Sequence, residues 1–308
     1  MSTMSVAVQQ AVRPFEMFRV AVKTTTRVSP HLVRVTFTGL ELSEFADNGY
    51  DQRIKLILPG TDGTLEDMPT GDTWFTEWRQ LDSAKRPVIR TYTVRAVRQA
   101  DAEVDIDMVD HGDSGPASAF AGSALPGDEA ILYGPHAAYD GPHGGLEFRK
   151  DLEEQTDQLI VGDESAGPAV ASILEGLSER ARGLVCLEVG SADDVLDLRG
   201  PDGVRITWCV RGDERGQHQR AVVREWLDSH PAVGRDEGGE TTVLADGQDS
   251  AYWEVTTDRG DDVPPLSAWI AGESSAVKSM RRMLVGEYDV PKSAVAFMGY
   301  WREGHSEC

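Results

Sequence analysis

Apolar and polar positions alternate in short runs along the first half of the chain and gather into longer apolar blocks along the second. From Phe15 to Pro135 the runs Met17–Lys23, His31–Thr38, Arg53–Leu58, Val88–Val97, Val104–Val109 and Glu129–Tyr133 hold the β-branched and aromatic residues that suit strands. Turn clusters such as Pro59-Gly60-Thr61-Asp62-Gly63 separate them. Six short strands at this spacing predict a small antiparallel barrel, with one helix around Pro116–Ala121. The stretch 139–156 is polar, glycine-rich and acidic, and reads as a linker. Beyond it the rhythm changes. Gln158–Val161, Leu184–Val189, Val204–Val210, Leu266–Ala271 and Ala294–Gly299 read as buried strands, and Ala169–Arg182, Gln217–Ser229 and Glu273–Tyr288 as helices between them. This alternation predicts a parallel sheet with helices on both faces. The division is therefore a leader at 1–14, a barrel at 15–138, the linker at 139–156 and an α/β domain at 157–308. Residues 236–260 form an acidic excursion, whose apolar piece Ala251–Val255 suits a hairpin strand.

A chain of 308 residues is long enough for these two domains. It has no run of 18 apolar residues, and its start lacks a basic and apolar secretion signal, so no membrane span is expected and the cytoplasm is the expected location. Cys186, Cys209 and Cys308 are odd in number and lack ligand spacing, which argues against a disulfide framework or a zinc site. The net charge of −22 disfavours nucleic acid and anionic membranes as partners. It also means that a pocket for an anion must be built locally, in a chain with only six lysines. No heptad or long apolar edge stands out, and a monomer is expected.

The densest candidate chemistry is Arg90-Thr91-Tyr92-Thr93-Val94-Arg95. Alternation sends Arg90, Tyr92 and Val94 to one face and Thr91, Thr93 and Arg95 to the other. An arginine fork, an aromatic face and hydroxyls make a seat for a flat, phosphorylated ligand. A half-exposed strand with solvated arginines is the plainer alternative. His111-Gly112-Asp113-Ser114-Gly115-Pro116-Ala117-Ser118 places glycine and proline at a helix start, which is either an anion site or an ordinary cap. Gly162-Asp163-Glu164-Ser165-Ala166-Gly167-Pro168 joins a strand to a helix at the carboxyl edge of the sheet, where open α/β sheets bind ligands. Arg211, after a later strand, could meet a 2′-phosphate or simply be solvated. The aromatics of Phe297–Gly304 could cover a ring between the domains or seal the core. No protein nucleophile or acid–base pair stands out.

Together these stretches resemble the siderophore-interacting protein family of flavin-dependent ferric-siderophore reductases, from about Phe15 to Gly304. The resemblance is carried by Lys55-Leu56, Arg90–Arg95, His111-Gly112, Gly115–Ala121, Gly127-Asp128, Gly134-Pro135, Gly162–Ala166, Trp269–Glu273 and Gly299–Gly304, in order. It implies an FAD-binding antiparallel barrel joined to a nicotinamide-binding α/β domain, similar to ferredoxin–NADP reductases. By the resemblance, Arg90 pairs with the FAD diphosphate, Tyr92 lies against the isoalloxazine, and Thr93 meets its polar edge beside Val94. His111 contacts the flavin or its ribityl chain, and Gly115, Pro116, Ala117 and Ser118 form the phosphate-binding helix start. Asp163, Glu164, Ser165 and Ala166 pass beside flavin and nicotinamide, and Trp301 covers the ring system. Arg211, Gly272 and Glu273 are positions for NAD(P)H, and Lys55 for an anionic ferric siderophore. Ser165 replaces the family's usual threonine and Phe120 a usual tryptophan. The short C-terminus inclines the expected donor to NADPH over NADH. Two other roles remain open: a reductase component serving a ferredoxin or oxygenase, and a non-enzymatic binder of ferric siderophores.

Overall fold

The computed structural model describes residues 12–61, 63–110, 115–230, 252–255 and 263–304. In the first half, β1 (Phe15–Ser29), β2 (Leu32–Thr38), β3 (Arg53–Leu58), β4 (Val88–Thr93), β5 (Ala96–Arg98), β6 (Glu103–Val109) and β7 (Glu129–Pro135) share one antiparallel sheet, in the order β4-β3-β7-β1-β2-β6-β5. The expected strand Val88–Val97 is in fact two. At the break, the Val94 amide donates to the Gln52 carbonyl and the Arg95 amide to the Asp105 carbonyl, both at 2.9 Å. The chain thus steps directly from one edge of the sheet to the other, and the sheet curls into a barrel of seven strands rather than six. Strand propensity is uniform across 88–97, so a change of hydrogen-bonding partner leaves no mark in the pattern.

Alternation fills the barrel. Ile54, Leu56 and Leu58 pack inward with Val35, Phe37, Ile106 and Leu132, and Ala117 and Ala121 of α2 (Pro116–Ser123) close one end. Ile57, Ile89 and Ile131 point outward, yet they are buried beneath Leu65, Met68 and Trp78. Trp78 belongs to α1 (Trp74–Gln80), which the sequence reading misses, because seven residues show too little of a helical period. The Trp78 indole donates to the Pro87 carbonyl at 2.8 Å, anchoring the helix.

The second half holds β8 (Asp157–Gly162), α3 (Gly167–Gly176), β9 (Gly183–Val189), β10 (Val204–Val210), α4 (Gln217–Asp228), β11 (Trp253–Val255), β12 (Leu266–Glu273), α5 (Ser274–Arg281) and β13 (Val295–Trp301). The strand order is β10-β9-β8-β12-β13-β11, parallel except for β11. The helix expected to run to Arg182 stops at Gly176, where the Tyr50 hydroxyl from the barrel half donates to the Gly176 carbonyl at 3.0 Å. The helix expected over 273–288 starts one residue later and passes into a π-helical turn over Arg282–Glu287. Of the excursion 236–260, Trp253–Val255 is an edge strand against β13, and residues 236–251 and 256–260 lie outside the described residues. No described helix is long and apolar enough to cross a membrane.

Several contacts join the halves. Asp194 accepts hydrogen bonds from the Ser29 hydroxyl at 2.7 Å and the His31 amide at 2.9 Å, with the His31 imidazole at 2.7 Å. Arg95 pairs with Glu175 of α3 at 2.5 Å. The expected linker is pinned at one point. Its Glu147 and Phe148 amides donate to the buried Asp51, which also accepts from the Trp269 indole of β12 at 2.9 Å. Burial pushes the Asp51 carboxyl up, and these hydrogen bonds oppose it.

Candidate functional site

The barrel side is set by the β3–β4 register, which puts Arg90 opposite Leu56 and Tyr92 opposite Ile54, on the inward face. Tyr92 is half-buried and packs at the rim of the core, as does Phe120. Burial raises the pKa of its hydroxyl, and the Arg90 charge opposes the rise. The Arg90 guanidinium donates to the Ile89 carbonyl at 2.8 Å and has no carboxylate partner among the described residues. That is unusual here, where most buried or half-buried arginines meet an acid. Among the described residues no side chain caps the α2 start: Gly115 stands at the N-cap with φ 158°, Pro116 follows, and none of those residues stands where a Gly115 side chain would project. Ala117 and Ser118 belong to this first turn. A bare arginine and an uncapped helix start suit a diphosphate, so the residues present fit FAD. Val94 is buried at the strand break, and Thr93 is buried beside Tyr300 of β13. The Tyr300 hydroxyl is itself buried beside the Thr93 side chain, with no well-formed hydrogen bond among the described residues. His111 lies outside the described residues.

Lys55 lies on the outward face of β3, exposed, donating to the Thr91 hydroxyl at 2.7 Å. Its neighbour across the other side is Tyr133, whose ring meets Trp74 at 5.0 Å and Phe15 at 5.4 Å. Arg53, one step along β3, stacks over Trp253 at 4.3 Å and pairs with Glu147. Sequence reasoning finds the lysine and misses these rings. The aromatic density of Trp74-Phe75-Thr76-Glu77-Trp78 was the available signal.

On the α/β side Asp163 is the hub. One oxygen accepts from the Ser165 amide at 2.9 Å and the Ser165 hydroxyl at 2.5 Å. The other accepts from the Glu273 amide and the Trp301 indole, each at 2.8 Å. Asp163 thereby ties the β8–α3 turn to the ends of β12 and β13. Burial, with the Glu164 charge beside it, pushes its carboxyl up. Gly272 is required here: at φ 142° a side chain would come within 2.7 Å of the Asp163 carboxylate. Ala166, fully buried, leads into α3. Glu273 caps α5, accepting from the Ser275 amide at 2.6 Å and the Ala276 amide at 3.1 Å. Arg211 is held between Glu164 and Glu188, and Arg215, which sequence reasoning passes over, lies 4.7 Å over the Trp301 ring. The structure thus groups Asp163, Glu164, Ser165, Arg211, Gly272, Glu273 and Trp301 on one edge of the parallel sheet. Arg90, Tyr92 and Thr93 with the α2 start stand on the barrel side.

The model for the siderophore-interacting FAD-binding domain matches residues 21–139, and that for siderophore-interacting protein matches residues 155–304. An uncharacterised protein of Mycobacterium tuberculosis is 32% identical over 299 residues, covering 96% of this chain and 93% of that one. Ferric vibriobactin reductase ViuB of Vibrio cholerae is 30% identical over 281 residues, covering 91% of this chain and 87% of that one. The crystal structure of the siderophore-interacting protein SipS from Aeromonas hydrophila superposes with a TM-score of 0.66 at 29% identity, covering 94% of this chain and 93% of that one. With both halves matched in order and the barrel-plus-parallel-sheet fold in place, the chain belongs to the siderophore-interacting protein family.

Proposed function

We propose that this chain is an FAD-dependent ferric-siderophore reductase, taking electrons from NAD(P)H and passing them to the iron of a ferric siderophore. The observation that carries the reading is Arg90. In a chain of net charge −22, a half-buried guanidinium with no carboxylate partner among the described residues calls for an anion, beside an uncapped helix start and a rim tyrosine. Arg90, Gly115, Pro116, Ala117 and Ser118 would hold the diphosphate, Tyr92 and Val94 one side of the ring, and Thr93 its polar edge. His111 joins this set by family likeness alone. Asp163, Glu164, Ser165, Ala166, Gly272, Glu273 and Trp301 form the opposite, donor-facing wall. FAD, when bound, takes a hydride as two electrons and releases them singly, which ferric iron requires. The protein's own work is to seat the ring, admit the donor on one side and leave an approach for the chelate. Ferrous iron binds hard oxygen donors more weakly than ferric iron, so reduction frees it. Lys55 supplies a positive charge for an anionic chelate on the outward face. ViuB, named a ferric vibriobactin reductase, supports a ferric chelate as electron acceptor. A nicotinamide donor supports a cytoplasmic location, and a monomer remains the reading for the assembly.

The test is anaerobic. NADPH or NADH added to the flavin-loaded protein should bleach the visible flavin absorption, and a ferric siderophore added next should restore it while a ferrous trap develops colour. Flavin that neither nicotinamide bleaches, but reduced ferredoxin does, would transfer the role to a ferredoxin-fed reductase. A protein that binds ferric siderophore without flavin would be a binder only.

A further inference from the structure

Arg211 is the position that the family likeness gives to the nicotinamide dinucleotide; we propose that Arg215 completes a phosphate site with it, and that Glu164 is a built-in anion which that phosphate displaces. The inference rests on NAD(P)H as the donor. Both arginines lie on the loop between β10 and α4, at the carboxyl edge of the parallel sheet. The loop is fixed in place. The Gly216 amide donates to the buried Glu188 at 3.0 Å, and Arg211 Nε approaches the same carboxylate at 3.3 Å. Gly216 has φ 71°, and a side chain there would press on Ala276 of α5 at 3.2 Å. The backbone therefore presents the two guanidinium groups at a set spacing.

Glu164 faces both. It pairs closely with Arg211 Nη2, but its other oxygen is 3.9 Å from Arg215 Nη1, too far for a hydrogen bond. Arg215 Nη1 is buried and has no hydrogen-bond partner among the described residues. The rest of that side chain is committed, with its plane over the Trp301 ring and Nη2 at 3.4 Å from Glu303. The acids around the same recess are engaged elsewhere: Asp163 by Ser165, Glu273 and Trp301, Glu188 by Gly216 and Arg211, and Glu273 by the first amides of α5. None is positioned to turn to Arg215. An orphaned buried donor on a cation is costly to keep. A carboxylate has two oxygens and satisfies one arginine here. A phosphate has three in a tetrahedron and can bridge Arg211 Nη2 and Arg215 Nη1 together. Its negative charge enters this acidic edge only as Glu164 turns away, so binding is an exchange of one anion for another.

The decisive measurement is the KM of each donor for flavin reduction, with equilibrium binding of ADP and 2′,5′-ADP alongside. Glu164→Gln should lower the KM roughly three- to tenfold, since the competing charge is gone while the side-chain shape is kept. Arg215→Gln should raise it roughly tenfold or more, and Arg215→Lys should recover only part, lacking the fork. Equal shifts for NADH and NADPH, with ADP following, identify the shared diphosphate as the ligand. Shifts confined to NADPH and 2′,5′-ADP identify the 2′-phosphate. A KM and nucleotide affinity that Glu164→Gln leaves unchanged or weakens, in a protein of wild-type melting temperature, overturn the proposal. A wild-type flavin that neither donor bleaches would instead overturn the reductase reading, and the two nucleotide titrations would still decide this one.

Discussion

The chain prepares arginine in two opposite ways. On the barrel side Arg90 is kept bare: among the described residues its one hydrogen bond goes to a neighbouring carbonyl, and no acid approaches. On the α/β side Arg211 and Arg215 are surrounded by Glu164, Glu188 and Glu303. In so acidic a protein the second arrangement is the ordinary one and the first has to be maintained. A bare cation beside an uncapped helix start suits a ligand that enters once and stays. Cations already occupied by a carboxylate suit a ligand that must come and go with each turnover, because the internal anion is ready to reclaim them. On the proposed assignments, resident cofactor and passing donor meet arginines whose charge the protein handles in different ways.

The hardest break falls on the donor side. Asp163→Asn would leave one acceptor oxygen and turn an NH2 group toward the Glu273 amide or the Trp301 indole, setting donor against donor in a buried hub. The expected cost is about 2–4 kcal/mol, seen as a lower melting temperature, and a melting temperature at the wild-type value would dismiss Asp163 as the hub. Next comes the bare arginine. Arg90→Ala should weaken FAD binding by about 2 kcal/mol, or roughly thirtyfold, so flavin is lost on gel filtration, whereas Arg215→Gln should retain it. Loss of flavin from both variants, or from neither, would erase the distinction between the two settings. A smaller effect belongs to Lys55. Lys55→Ala should raise the KM for an anionic ferric chelate roughly three- to tenfold, and less at high salt. An unaltered KM for the chelate would remove it from the acceptor side.

The smallest effect concerns how the two sides are held together. At Asp194 partial burial favours the neutral acid, but hydrogen bonds from Ser29 and His31 outweigh it and hold the carboxyl below its usual range. A depressed folded-state value means that the stabilisation is complete above the unfolded pKa of about 4 and fades as pH falls through the lower, folded value. The difference in stability between wild type and Asp194→Asn, on the order of 1 kcal/mol and read from melting temperature, should be constant from neutral pH to about 5 and shrink below about 4. A difference that grew with acid would reverse the assignment.

Much of this architecture was legible in the sequence because alternation and apolar blocks report local burial. Strands β1 to β3 and β6 to β10 came from that signal alone, as did the shift from barrel to parallel sheet. What escaped was whatever depended on a distant partner. The break at Val94 is made by Gln52 and Asp105, the early end of α3 involves Tyr50, and the pinned linker answers to Asp51. None of these partners is near its target in the chain. At the site, residue types and strand ends pointed to Arg90, Tyr92 and Asp163. The pairing of Arg211 was invisible, because nothing local says which acid a loop arginine will meet. Arg215 was missed for the same reason, since Trp301 and Glu164 reach it from other strands.

The joints at Asp194, Asp51, Tyr50 and Glu175 sit at separate points along the seam between the halves. A seam bolted in several places does not swing like a jaw. An acceptor too large for the mouth is therefore not swallowed by a closing motion, and its metal need only come within electron-tunnelling reach of an exposed edge. Selection among chelates would then follow their size and charge rather than a fitted enclosure, and a single protein of this build would serve several iron carriers that share little else.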